Sequence, residues 1–128
     1  MISSKMKKLI ESRPMALATC NKDGQPNVVC VTSRRVVSKQ QILITDNCFV
    51  KTRKNLLENP VVALAVCSED EEEAYQFKGR VEYLISGKWK EAVDKDPDNQ
   101  GWAHKAAVLV HVEEIYDLAN PKLLYSKL

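Results

Sequence analysis

Residues 42–66 read ILITDNCFVKTRKNLLENPVVALAV. The pattern predicts a strand, a turn, a short helix and a second strand. The turn carries Thr45, Asp46 and Asn47, and the helix opens with Lys51, Thr52, Arg53 and Lys54. A helix N-terminus already holds about half a positive charge, so acids are favoured there and each cation costs roughly 0.3–1 kcal/mol. Cations gathered at that end point to an anion opposite them. Free backbone N–H groups together with Lys, Arg and Thr side chains are the chemistry that grips a phosphate. A helix beginning nearer Asp46 would instead carry the same cations on a solvated face.

Other candidates are few. Arg34 and Arg35 end the second predicted strand, either beside the phosphate site or as decoration of a strand end. Thr32, Ser33 and Thr45 offer hydrogen bonds without bulk. Trp102 stands alone in a polar loop, DPDNQGWAHK. A tryptophan there packs on something, either a subunit or a flat ring. His104 is its neighbour, and His111 lies in the last apolar strand as a packed or interface residue. No GxSxG elbow, HExxH helix or Gly-rich phosphate loop is present, and 4 glycines exclude a dinucleotide fingerprint. No residue is named as catalytic. Any chemistry belongs to a bound cofactor, with the protein supplying position and electrostatics.

The bulk properties narrow the class. A chain of 128 residues suits one domain with a real core. The net charge of +2, from 19 basic and 17 acidic residues, is too balanced for nucleic acid or an anionic membrane to be the main partner. The run Glu69–Glu73 reads as a solvated loop without the alternating ligand spacing of a calcium site, so no metal is expected. Cys20, Cys30, Cys48 and Cys67 form no CxxC pair. Three of them, Cys20, Cys30 and Cys67, lie in or beside apolar runs and are expected to be buried free thiols. A reduced, cytoplasmic protein is the simplest reading. The N-terminus lacks the apolar core of a signal peptide, and no stretch approaches the about 20 apolar residues of a membrane helix.

The elements that must position these residues follow from punctuation and period. A helix over 3–12, capped by Ser3 or Ser4, is ended by Pro14. Strands are expected over 15–20 and 26–33, joined as a hairpin by Asn21-Lys22-Asp23-Gly24. After a turn at 38–41 comes a third strand to Thr45, then the helix over 50–58, stopped by Asn59-Pro60. The fourth strand, 61–68, is continuously apolar and reads as covered on both faces. The fifth, 74–85, contains Gly79 as a candidate bulge. A helix over 88–94 and a polar loop lead to the sixth strand, 106–112 with an extension as far as Ile115 left open, and the last ten residues read as a tail. Strands in direct succession with few helices favour a closed or partly closed antiparallel barrel.

In this order the segments ALATCNKDGQPNV, TDNCFVKTRKNLLENPVVALAV and GWAHKAAVLV resemble the flavin mononucleotide (FMN)-binding split barrels related to pyridoxamine 5′-phosphate oxidase, especially the small FMN-binding proteins. The resemblance implies a mainly β fold: a six-stranded antiparallel split β-barrel with a few short helices, spanning 1–128 as one FMN-binding domain. It implies that Lys51 and Thr52, with Arg53 or Lys54 nearby, hold the FMN phosphate. It implies that Val29, Cys30, Val31 and Thr32, with Thr45, Asp46 and Asn47, meet the isoalloxazine edge. Family members are homodimers with FMN at the interface, and Trp102 matches a position that reaches over from the partner. Two departures matter. The chain ends in NPKLLYSKL, without the Arg- and His-containing segment that binds pyridoxine in the oxidases proper, so that activity does not carry over. The family's phosphate-binding strand is only partly echoed by Arg34-Arg35-Val36-Val37. The reading is an FMN-binding oxidoreductase or electron-transfer protein. The alternatives are a non-enzymatic flavin carrier, a split barrel using a deazaflavin or haem, and an interaction domain without a cofactor.

Overall fold

The structure, a computed structural model, describes residues 1–128. Its elements are α1 (Ser4–Ser12), β1 (Met15–Cys20), β2 (Pro26–Val31), β3 (Arg34–Ser38), β4 (Gln41–Asp46), α2 (Lys51–Glu58), β5 (Val61–Cys67), β6 (Ala74–Leu84), α3 (Lys88–Lys95), a 3-10 turn (Pro97–Asn99), β7 (Ala106–Asp117) and β8 (Lys122–Ser126). The strands form one antiparallel sheet in the order β2-β1-β5-β6-β7-β4-β3, with β8 added to β7.

The sheet is rolled. α1 packs against both β5 and β3, which are four strand steps apart in the sheet order. In a flat sheet that is about 19 Å, more than the roughly 10 Å diameter of a helix can bridge. The mainly β split barrel with short helices is therefore the observed fold. Ser3 caps α1 by accepting from the Met6 N–H at 3.2 Å, and Met6 and Ile10 on one face of the helix enter the core. The barrel interior is filled by Met15, Leu17, Ile42, Ile44, Leu64, Phe77, Val108, Val110 and Ile115, all fully buried. Burying each such side chain is worth about 1.5–3 kcal/mol.

Local chemistry explains the turns. Asn21 Oδ1 accepts from the Asp23 and Gln25 N–H groups, both at 2.9 Å, and Gly24 takes φ +81°, which closes the β1–β2 hairpin. Gly79 does mark a bulge: the β6–β7 register shifts between Lys78 and Gly79. A Cβ at Gly79 would overlap the His111 carbonyl oxygen.

Four expectations change. There are eight strands rather than six. The run after β2 turns a corner at Thr32-Ser33 and returns as β3 against β4, with the Thr45 N–H donating to the Ser33 carbonyl at 3.0 Å. No Gly or Pro marks that corner. The tail contains β8, paired with the end of β7. Only the inner face of β5 is fully covered: Val62, Leu64 and Val66 are buried, while Val61, Ala63 and Ala65 are half-buried. The cysteines are not buried either. Cys30, Cys48 and Cys67 are exposed and Cys20 is intermediate, all as free thiols, because their positions alternate onto the outer face or into turns. No helix is long and apolar enough to cross a membrane.

Candidate functional site

The N-terminus of α2 falls at Lys51, so Lys51, Arg53 and Lys54 do sit in its first turn. The preceding Val50 supplies no side-chain cap, and the first turn holds no acid. The opening N–H groups of a helix have no intrahelical acceptor, and here no side chain replaces one. The start of α2 lines a cavity of about 230 Å³ together with the β1–β2 hairpin. Lys51, Lys54, Asn21, Gln25, Asn27 and Asn55 supply its polar groups, and no hydrophobic residue lines it.

Helical geometry separates residues that are adjacent in sequence. Lys51 and Lys54 face this basin. Thr52 is 1% exposed, and its Oγ1 accepts from Asn27 Nδ2 at 3.1 Å. One turn on, Asn55 Nδ2 donates to Thr19 Oγ1 at 3.0 Å. These two bonds seat the polar inner face of α2 on β1 and β2. Arg53 turns to the opposite flank, where its Nε donates to the Tyr83 hydroxyl at 3.2 Å.

The residues at the end of β4 hold their surroundings together. Asp46 is 0% exposed. Its Oδ1 accepts from the Phe49 N–H at 2.8 Å and its Oδ2 from the Tyr83 hydroxyl at 2.5 Å. Burial, then the Asp46 carboxylate, push the Tyr83 hydroxyl up to about 12. Asn47 Oδ1 accepts from the His104 N–H at 2.8 Å. Thr45 Oγ1 accepts from Asn99 Nδ2 at 3.0 Å. Asn99, fully buried, also donates to the Val93 carbonyl at 2.8 Å and accepts from the Ser33 hydroxyl at 2.5 Å. The β2–β3 corner, the end of β4 and the loop after α3 thus converge on one carboxamide. That convergence brings Thr45, Asp46, Asn47 and the Trp102 loop together.

Trp102 is 62% exposed. Two residues on, His104 takes φ +30°, a region non-glycine residues enter seldom. Its Nδ1 lies 2.6 Å from Asp94 Oδ1, which also accepts from Lys90 Nζ at 2.5 Å. The Lys90 hydrogen bond, with that of His104, holds the Asp94 carboxyl below its ordinary value.

The β2 residues divide between two faces. Val31 is buried and Val29 half-buried, whereas Cys30 is exposed on the outer face, and Thr32, exposed, begins the corner after β2. Arg34 is spent elsewhere: its guanidinium donates to the carbonyls of Ile10, Thr32 and Arg13 at 2.8, 2.5 and 2.6 Å. Desolvation lowers its pKa. It ties α1 to β3 and is not free for a phosphate. His111 lies on the outer side of β7, paired with Glu82 at 2.7 Å. Asn27, Asn55, Tyr83, Asn99 and Lys105 are absent from the sequence reading, because nothing local distinguishes them from solvated polar residues.

The pyridoxamine 5′-phosphate oxidase family pattern matches residues 2–119. The chain belongs to that family. A relative, the uncharacterized protein MJ0282 of Methanocaldococcus jannaschii, is 38% identical over 126 residues, 93% of this chain and 82% of its own length. The crystal structure of HupZ from Group A Streptococcus is similar with a TM-score of 0.89 at 28% identity, covering 96% of this chain and 98% of that one. An FMN-binding protein from Syntrophomonas wolfei subsp. wolfei shares the fold with a TM-score of 0.74 at 14% identity, over 91% and 85% of the two chains. Membership agrees with the mainly β split barrel, and the polar basin at α2 is this family member's own candidate for an anion.

Proposed function

We propose that this chain, acting over 1–128 as one domain, binds FMN and serves flavin-dependent electron or hydride transfer. The observation that carries the reading is the uncapped, acid-free, cation-rich start of α2 opening on a cavity lined by two lysines, three asparagines, a glutamine and Pro26. In this reading Lys51, Lys54 and the first N–H groups of α2 hold the phosphate dianion, and Thr52 fixes the helix start through Asn27. The exposed Cys30 of β2 and Thr32 at the corner beyond it, with backbone groups of Val29, Val31, Thr45, Asp46 and Asn47, border the ring. The bound flavin supplies the redox chemistry, and the protein supplies position and electrostatics. The side chains of Thr45, Asp46 and Asn47 act as positioning groups, since each is committed to a bond within the chain. The exposed Trp102 ring suits a homodimer in which it covers the partner's flavin. Four unpaired thiols fit the reducing cytoplasm.

The test is the absorption spectrum of the purified protein, identification of any released ligand by mass, and an FMN titration of the Lys51→Glu variant. A yellow protein that releases FMN is expected, with affinity about a hundredfold weaker in the variant, since a charge-assisted pair becomes a repulsion. The same substitution puts an acid at a helix start, so the apo protein should be more stable by about 0.3–1 kcal/mol. A protein that takes up no FMN, or a variant with unchanged affinity, overturns the assignment. A deazaflavin or haem would be named by the same mass measurement.

A further inference from the structure

The cavity on the other flank of α2 has different walls and different chemistry. It measures about 370 Å³ and is lined by Phe49, Val50, Arg53, Tyr83, Ile85 and Lys105. None of these residues lines the polar basin, so the inference stands apart from the flavin reading.

Its floor is rigid. The Tyr83 hydroxyl is fixed between its bond to buried Asp46 and the Arg53 Nε that donates to it. The Arg53 guanidinium lies 5.7 Å from the centre of the Tyr83 ring. Lys105 Nζ donates to the Phe49 carbonyl at 3.1 Å and stands 3.8 Å from Asp46 Oδ1. Lys105 thus stands beside the one carboxylate and Arg53 reaches it through the Tyr83 hydroxyl, two cations to one anion. Arg53 uses only its Nε in the hydrogen bonds of the chain, so both terminal nitrogens remain free, as do two N–H bonds of Lys105. The rim is apolar and open: Val50 is 78% and Ile85 73% exposed. A volume at the low end for small-molecule sites, an unfilled guanidinium fork that matches planar oxyanions, and an aliphatic rim describe one kind of occupant.

We propose that this cleft binds a small organic anion, a carboxylate or phosphate ester with an apolar body, whose charged end is held by Arg53 and Lys105 and whose body lies between Val50 and Ile85. Tyr83 is the positioning residue: it sets the angle of Arg53, and Asp46 sets Tyr83.

The experiment is calorimetric titration of the full chain with benzoate, phenyl phosphate and inorganic phosphate, each with and without saturating FMN. One site per chain is expected for the two aromatic anions, and inorganic phosphate should bind more weakly because it has no body to bury. Whichever aromatic anion binds tighter names the headgroup. Arg53→Met and Lys105→Met should each weaken binding about tenfold or more. Arg53→Lys should restore only part, since it keeps the charge without the fork. Ile85→Ser should weaken the aromatic anions and leave inorganic phosphate unchanged. Arg53, Lys105 and Ile85 are on the surface, and thermal melts verify that the variants are folded. Absence of binding at millimolar concentration, or binding indifferent to both cation variants, overturns the proposal. So does stoichiometric displacement of benzoate by FMN, which would assign the cleft to the flavin site. Benzoate binding by a protein that ignores FMN would keep this site and remove the flavin reading.

Discussion

Replacing Asn99 by alanine removes a carboxamide shared by three parts of the chain. Asn99 donates to Thr45 Oγ1 and the Val93 carbonyl and accepts from the Ser33 hydroxyl. Asn99 is fully buried and Thr45 is 6% exposed, so water cannot easily replace what is lost. A net hydrogen bond is worth about 1 kcal/mol, and an orphaned buried partner costs about 1–3 kcal/mol. Ser33 is half-buried and can turn its hydroxyl to solvent, which leaves two orphaned acceptors. The expected loss is about 3 kcal/mol, and for a chain of this size that lowers Tm by roughly 10 °C. Urea unfolding with an unchanged m-value is the assay, paired with amide hydrogen exchange at Thr45, Trp102 and His104. Exchange should accelerate at Trp102, whose N–H donates to the Asn99 carbonyl, and at His104, held by Asn47. Asn99→Asp keeps the size but loses both donors, so it should fall close to alanine. A change under about 1 kcal/mol, or exchange altered nowhere in this loop, would refute the idea that Asn99 organises the site.

Gly79→Ala drives a Cβ into the His111 carbonyl, and since backbone cannot yield as a side chain would, destabilisation of about 3 kcal/mol or more is expected by chemical unfolding; a near-neutral variant would mean that β6 and β7 re-register freely. Stability should fall as pH rises from 10 to about 12, because the folded state keeps the Tyr83 proton that the unfolded chain releases at 10.0. Tyr83→Phe should flatten that alkaline slope in part, Tyr116 beside Glu114 being raised as well; an unchanged slope would deny Tyr83 its role. Ser3→Ala removes the α1 cap and should cost about 1 kcal/mol, read from the thermal midpoint.

What was legible in the sequence was local. The Asp23-Gly24 turn closes its hairpin, Gly79 bulges and Asn59-Pro60 ends α2, because each rests on backbone chemistry within a few residues. The basic start of α2 was legible because the conflict between cation and helix dipole is a one-turn effect. The corner at Thr32-Ser33 was not, since a β-branched run continues through it and only pairing with β4 bends the chain. The β8 strand was equally hidden, because its edge on β7 is the template it needs.

The sequence by itself determined the strand-rich class, the family resemblance and the place where positive charge collects, all properties of short segments. Tertiary structure decided which face each residue serves. It sent Lys51 and Lys54 to one cavity and Arg53 to another, spent Arg34 on three carbonyls, and made Asp46 an internal anchor. The physical reason is that a side chain's role depends on which partners reach it within hydrogen-bonding distance. In a rolled sheet those partners come from strands far apart in the chain.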